Sequence, residues 1–196
     1  MLQREDTQIA GFVFKGQVAA ETVRRLTEPE KKTVEFGFQE VSAKVSLSLL
    51  DEDHVSSATK MSAVFIAIAS FENSVRDLVS SRLLEQKGAN WWDVCVTNAD
   101  IKNRAKTRQE TEKQIRWHQA RGLSPIYYTE LGDLPNIIQT NWGSFEDLMH
   151  DIDWVRQIFK SLERSRNVIM HSGQLSMDDV ERVGVFIRDW LRQVGG

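Results

Sequence analysis

Two stretches near the end of the sequence repeat apolar residues at helical spacing, and only a short link separates them. The spacing predicts one helix from an N-cap at Ser144 to about His171, and a second from an N-cap at Ser176 to about Val194. Because the link, centred on Gly173, is short, we expect the two helices to lie antiparallel as neighbours. The chain is therefore expected to fold as a helical bundle.

The preceding part of the chain also favours helices. A wide apolar stripe predicts a long helix over about residues 54–87, with Gly88 at the position of a C-terminal cap. Residues 98–121 are rich in lysine and arginine and leave hardly any apolar face, so they predict a solvated basic helix. After the basic helix, proline and glycine residues break the chain into short pieces. Leu134 and Ile137 indicate a brief helix among these pieces.

The N-terminal arm has a structure that the sequence leaves open. Phe12 and Phe14 alternate as in a strand, whereas the stretch that follows them suits a short helix. From Thr27 onwards a helix is favoured, although the same residues also fit two strands. We predict a partly helical arm over residues 1–53, followed by an all-α bundle over residues 54–196.

Composition limits the function classes. Only three prolines occur, which agrees with a helical chain, and the net charge of -3 means that any RNA contact needs a local basic face. The single cysteine, Cys95, cannot form an internal disulfide, and no cysteine and histidine cluster could hold a structural zinc. The sequence has neither a secretory signal nor a long apolar run, so we expect a cytoplasmic protein without a membrane segment. We also expect that it binds neither a metal nor a cofactor.

The most informative segment lies at the predicted end of the penultimate helix, where Arg166 and Asn167 are followed by His171. Heptad steps from the apolar Phe159 lead to Arg166, so a charge occupies a core-facing position of the helix. Asn167 and His171 share a helix face, and the helix dipole favours a protonated imidazole there. The three side chains can therefore converge on one anion. Such residues are also common near helix C-termini for structural reasons, and that interpretation stays open.

Glu72 is a charged residue within the apolar stripe of the long helix, four residues after Ile68 and three before Val75. A buried carboxylate needs a partner. We hypothesise that Glu72 orients Arg166 or His171. The alternative is that it lies at the edge of the stripe, in solvent.

The basic helix supplies candidates for RNA contacts. Cationic side chains can follow a phosphate backbone, and an exposed aromatic ring can stack on a base. The candidates are Lys102, Arg104, Lys106, Arg108 and Trp117. A charged helix that is only solvated is the alternative interpretation.

Four short motifs relate the chain to a known superfamily. They are Phe71-Glu72-Asn73 in the long helix, Leu131-Gly132-Asp133-Leu134, Asn141-Trp142, and the Arg166-Asn167-x-x-x-His171 end of the penultimate helix. With these motifs, the stretch from about Ser56 to Val194 resembles a HEPN domain (higher eukaryote and prokaryote nucleotide-binding). The last motif is similar to the superfamily's signature of arginine, a polar residue, a few variable positions and histidine.

The resemblance implies a helical bundle that pairs with a second copy, so that two signature helices meet in a cleft. It also implies RNA cleavage without a metal, in which the ribose 2′-hydroxyl attacks the adjacent phosphate and leaves a cyclic phosphate end. Arg166 would then hold the phosphate, Asn167 would position the phosphate or the imidazole, and His171 would transfer the proton. Expected partners are RNA, a second copy of the chain, and an antitoxin or regulatory protein in a toxin, phage-defence or RNA-surveillance setting. A non-catalytic HEPN-like module that dimerises or binds a nucleotide or RNA is the alternative.

Overall fold

Every regular element in the described part of the chain is helical. The computed structural model describes residues 37–115 and 117–195, and over these residues it contains seven α-helices, short 3-10 turns and no strand. The prediction of an all-α fold is confirmed.

The chain divides into two units after Glu52. In the first unit, the described residues form helix α1, Phe38–Lys44, and a 3-10 turn, Leu47–Leu49. Ser46 separates them with a left-handed backbone (φ 57°). Within these residues the favoured helix is confirmed over Phe38–Lys44, although it does not continue to Leu49, and the strand alternative is wrong.

The remaining predictions for the N-terminal arm concern residues 1–36, which lie outside the described residues. The division into an arm over residues 1–53 and a bundle over residues 54–196 therefore stays a prediction.

Six further helices follow α1, and the bounds of three of them agree closely with the predictions. They are α2, Glu52–Lys87; α3, Trp91–Cys95; α4, Ala99–Gln114; α5, Leu134–Thr140; α6, Ile152–Met170; and α7, Met177–Val194. The long helix, the brief helix that begins at Leu134 and the last helix with its N-cap at Ser176 are confirmed. Gly88 follows α2 with a positive φ of 77°, as a C-terminal cap requires.

Helix α4 is shorter than the basic helix predicted from the sequence. The Asn98 side chain caps its start by accepting hydrogen bonds from the backbone N–H groups of Asp100 (2.9 Å) and Ile101 (3.4 Å). The helix ends at Gln114, and the chain then turns back so that the N–H of Arg121 donates to Glu112 Oε2 at 3.1 Å. Ile101 is also buried, so the helix has a narrow apolar face.

The last two helices pack antiparallel, as predicted. Trp154 in the first turn of α6 stacks on Trp190 in the last turn of α7, with ring centroids 5.7 Å apart and an interplanar angle of 3°. Phe159 meets the edge of Trp190 at 5.4 Å. Phe71 of α2 contacts both of these rings at 5.5 Å, so three helices share one aromatic cluster.

The predicted start of the penultimate helix at Ser144 is wrong. Helix α6 begins eight residues later at Ile152, where the side chain of Asp151 accepts a hydrogen bond from the N–H of Trp154 at 2.7 Å. Ser144 is instead the buried last residue of a 3-10 turn, because Arg82 of α2 donates to its carbonyl oxygen at 2.9 Å and also binds the carboxylate of Asp147. Long-range contacts therefore outweigh the local capping signal.

Within residues 37–115 and 117–195, no helix combines the length and the apolar character that a membrane span requires.

Candidate functional site

The C-terminal end of α6 carries the three residues that the sequence singled out, and a compact turn fixes its shape. His171 is the first residue after the helix, and its N–H donates to the carbonyl oxygen of Asn167 at 3.1 Å. Ser172 adopts a left-handed backbone with φ 61°. Two more hydrogen bonds, from Ser172 to Ile169 (3.0 Å) and from Gly173 to Val168 (2.8 Å), complete a Schellman turn.

Gly173 is required by close packing in this turn. A Cβ atom added there would lie 2.7 Å from Cγ1 and 2.8 Å from the carbonyl oxygen of Val168. The carbonyl oxygen belongs to the helix backbone and cannot move freely. The turn therefore holds His171 at a fixed place relative to the last turn of α6.

Arg166 lies on the side of α6 that faces α2. The residues seven and four positions before it, Phe159 and Leu162, are fully buried, and Arg166 itself is half-buried. Its Nε atom lies 3.8 Å from Oε2 of Glu72. The charge at the core-facing position is thus met by a carboxylate of another helix.

Glu72 is buried, with 6% of its surface exposed, so the alternative of an exposed place at the edge of the stripe is wrong. Its carboxylate accepts a hydrogen bond from Arg76, one helical turn further along α2, as well as lying beside Arg166. Among the described residues, Glu72 makes no contact with His171. That Glu72 orients Arg166 stays a prediction that this placement supports.

Arg76 is a member of the site that the sequence reasoning missed. Its guanidinium donates to the carbonyl oxygen of Thr129 at 2.8 Å and to Oδ1 of Asn73 at 3.0 Å. Burial lowers the pKa of Arg76, Glu72 opposes this shift, and the positive charges of Arg166 and Arg121 add to it. A basic residue four positions after a carboxylate in an apolar stripe is the signal that could have identified Arg76.

These side chains line a cleft of about 310 Å³ between α2, α6 and the segment that follows α4. Helix α2 supplies most of the lining residues, α6 supplies Arg166, and the segment after α4 supplies Arg121 and Tyr127. Phe65 is 41% exposed at this cleft.

Asn167 and His171 are exposed and do not line the cleft. At about 100° per residue, Asn167 points about a quarter turn away from Arg166 around the helix axis. Over the residues that the structure describes, the ring of His171 has no hydrogen-bond partner. Within one chain, the structure therefore places the three predicted residues on one helix end but brings only Arg166 to the cleft.

The basic side chains of α4 are largely engaged within the protein. Lys102 donates to the carbonyl oxygen of Asp93 at 2.7 Å, and Lys106 lies 3.9 Å from Glu110. Trp117 is 86% exposed.

Two arginines of α4 hold the segment before α5 in place. Arg104 donates to Oδ1 of Asp133 at 2.6 Å, and Arg108 donates to the carbonyl oxygen of Tyr128 at 2.8 Å and binds Glu130. These contacts give both arginines a structural role. The prediction that the α4 side chains bind RNA is not tested by them.

Two of the sequence motifs also have a structural role. Leu131 and Leu134 are fully buried, and Oδ2 of Asp133 accepts a hydrogen bond from the N–H of Glu130 at 2.9 Å. Asn141 donates to the carbonyl oxygen of Cys95 at 3.0 Å.

Within the described ranges, no group of three or more histidine, cysteine, aspartate or glutamate side chains is arranged to hold a metal ion.

Comparison with protein families matches residues 67–195 to the family described as Swt1-like HEPN. The matched region contains most of α2 and all of the helices that follow it, including Glu72, Arg76 and the end of α6. Comparison with curated proteins gave no match, and comparison with solved structures gave none either.

Proposed function

Because the chain belongs to the Swt1-like HEPN family, we propose that it is an endoribonuclease that cleaves RNA without a metal ion, using Arg166, Asn167 and His171. The placement of Arg166 carries this proposal. Its guanidinium lies beside the buried carboxylate of Glu72 and lines a cleft at the end of α6. A carboxylate that limits the orientations of a guanidinium prepares it to bind a second anion such as a phosphate.

The complete site lies between two copies of the chain in this proposal. Asn167 and His171 are exposed, and so are two apolar neighbours in the same turn, Val168 (40%) and Met170 (55%). A second copy packed against this helix end would bury the apolar side chains and bring two sets of polar groups together. The exposure of His171 in a single chain is what such a shared site requires.

The reaction uses the ribose of the substrate as the nucleophile. The 2′-oxygen bonds to phosphorus as the bond from phosphorus to the next 5′-oxygen breaks, which leaves a 2′,3′-cyclic phosphate and a 5′-hydroxyl. A neutral His171 accepts the proton of the 2′-hydroxyl, and a protonated His171 of the second copy gives a proton to the 5′-oxygen. The guanidinium of Arg166 stabilises the charge on the other phosphate oxygens, and Asn167 positions the phosphate or the ring.

A non-catalytic HEPN module that binds RNA or a nucleotide is the second candidate function. One observation favours it, since Arg166 lines a cleft that Asn167 and His171 do not line. Such a cleft can bind an anion without using the imidazole.

Cleavage of mixed cellular RNA in the presence of EDTA separates the two functions. We expect the wild-type protein to produce fragments with cyclic phosphate ends, and the His171→Ala variant to be slower by about 100-fold or more. His150→Ala is the matched control, because the His150 side chain is 75% exposed and lies outside the cleft. Equal rates for wild type and His171→Ala, or no cleavage by either, would reject the nuclease.

The mass of the protein in solution tests the shared site separately. The proposal requires a dimer at the concentrations at which cleavage is observed. Cleavage by a protein that stays monomeric would reject the shared site.

A further inference from the structure

The cleft beside Arg166 contains two guanidinium groups that the proposed reaction does not use. Arg76 lies in its wall on α2, and Arg121 reaches it from the segment after α4. The lining therefore holds three guanidinium groups and one carboxylate, that of Glu72. An excess of positive charge in a cleft favours an anionic ligand.

Two further carboxylates lie next to the lining residues. Glu112 Oε1 lies 2.5 Å from Nε of Arg121, and Asp77 accepts a hydrogen bond from the hydroxyl of Tyr127 at 2.7 Å. Neither carboxylate lines the cleft itself. Among the residues that line the cleft, positive charges therefore outnumber negative charges.

Arg121 is held in a position from which it can bind a ligand. Glu112 binds both its backbone N–H, at 3.1 Å, and its Nε atom. The terminal amino groups of Arg121 have no hydrogen-bond partner among the described residues, and the side chain is 54% exposed. Glu112 thus holds the Nε side of the Arg121 guanidinium, and the terminal amino groups remain available to bind a ligand.

Two aromatic side chains, Phe65 and Tyr127, line the same cleft. Aromatic rings beside guanidinium groups are the combination with which proteins bind single-stranded nucleic acid, because bases stack on the rings while the charges meet the phosphates. The guanidinium groups alone would suit an acidic peptide as well, but two aromatic rings beside them offer surfaces on which bases stack. The lining therefore favours RNA.

We propose that this cleft binds a backbone phosphate of the RNA next to the phosphate that is cleaved, with Arg121 as its ligand, Arg76 adding positive charge behind it, and Phe65 as a stacking surface for the adjoining base. The inference rests on the proposed function for the identity of the ligand, but the binding step does not need cleavage. Arg166 borders this phosphate and the reacting one, so the cleft sets the position of the strand along the site.

The test measures binding of a single-stranded RNA oligonucleotide that carries 2′-O-methyl groups throughout and so lacks the nucleophile. We expect Arg121→Gln to lower the affinity about tenfold, and to reduce the slope of log affinity against log salt by about 0.7, as the loss of one phosphate contact does. Phe65→Leu is expected to lower the affinity about tenfold and to leave the slope unchanged, because it removes stacking and no charge.

Arg192→Gln is the matched control, since Arg192 is an exposed arginine near the end of α7 and lies outside the cleft. It should change neither the affinity nor the slope. Because Arg121 is largely exposed, its variant should keep the helical content and the unfolding temperature of the wild type.

Three results would overturn the inference: no binding of the oligonucleotide by the wild type, an unchanged slope for Arg121→Gln, or binding of adenosine 5′-monophosphate through Arg121 in place of the oligonucleotide. The last result would assign the cleft to a mononucleotide. A wild-type protein that binds the oligonucleotide through Arg121 but cleaves no RNA would support the inference and reject the nuclease, so the two failures are distinguishable.

Discussion

Oε2 of Glu72 lies 3.8 Å from Nε of Arg166, so a carboxylate in the interior of α2 meets a guanidinium near the end of α6. The same carboxylate accepts a hydrogen bond from Arg76. One buried negative charge is thus shared by two guanidinium groups. The stability of the bundle and the orientation of Arg166 are therefore coupled through Glu72.

We predict that Glu72→Gln destabilises the protein and slows RNA cleavage. Neutralising one member of a buried ion pair leaves the other charge unpaired, which costs about 3 kcal/mol in the free energy of unfolding. Denaturant unfolding measures this loss, and cleavage should be compared at a temperature at which both proteins are folded. We expect a lower rate because Arg166 loses the contact that orients it.

Glu85→Gln is the control for this prediction, because Glu85 is an exposed glutamate on the same helix. Its effect on the free energy of unfolding should stay within about 0.5 kcal/mol. If Glu72→Gln keeps both full stability and the full cleavage rate, Glu72 does not position Arg166.

Most helices could be predicted from local patterns, whereas one helix start could not. The caps at Gly88 and Ser176 are fixed by neighbouring residues, and the N–H of Asp179 donates to Oγ of Ser176 at 3.2 Å as expected. Ser144 has the same local signal, but Arg82, which is 62 residues earlier, binds its carbonyl oxygen. No local pattern contains that contact.

Part of the candidate site could also be predicted from local spacing, and part of it could not. The helical phase of Arg166 and the apolar surroundings of Glu72 can be read from spacing, and the structure brings these two residues together. Arg121 cannot be found in this way, because its place in the cleft depends on the turn that brings it back to Glu112. Whether Asn167 and His171 meet a phosphate depends on a second chain, which spacing within one chain does not describe.

We predict that Gly173→Ala destabilises the protein by about 1–3 kcal/mol, because its Cβ would lie 2.8 Å from the carbonyl oxygen of Val168 and force the turn to shift. The shift would also displace His171 and slow cleavage. Thermal and denaturant unfolding measure the first effect. Gly143→Ala is the matched control, since a Cβ there meets nothing within 4 Å, and an equal loss of stability in both variants would contradict the steric explanation.

The contact between Arg82 and Asp147 anchors the segment before α6 to α2. The hydrogen bond from Arg82 lowers the pKa of Asp147, and the positive charge of Arg82 lowers it as well. A carboxylate whose pKa is lower in the folded state stabilises the fold above its unfolded pKa of about 3.9 and loses this contribution as the pH falls through the folded value. We therefore expect Asp147→Asn to be less stable than the wild type near pH 7, and the difference to shrink and vanish as the pH falls below about 4.

Unfolding by urea at a series of pH values measures this difference. In the Arg82→Gln background, the pH-dependent effect of Asp147→Asn should be much smaller, because Arg82 is the main cause of the lowered pKa of Asp147 and only a backbone hydrogen bond still lowers it. A pH-dependent difference of undiminished size without Arg82 would show that another group acts on Asp147. A difference that grows as the pH falls would contradict the sign of the shift, because protonation removes the charge that Arg82 binds.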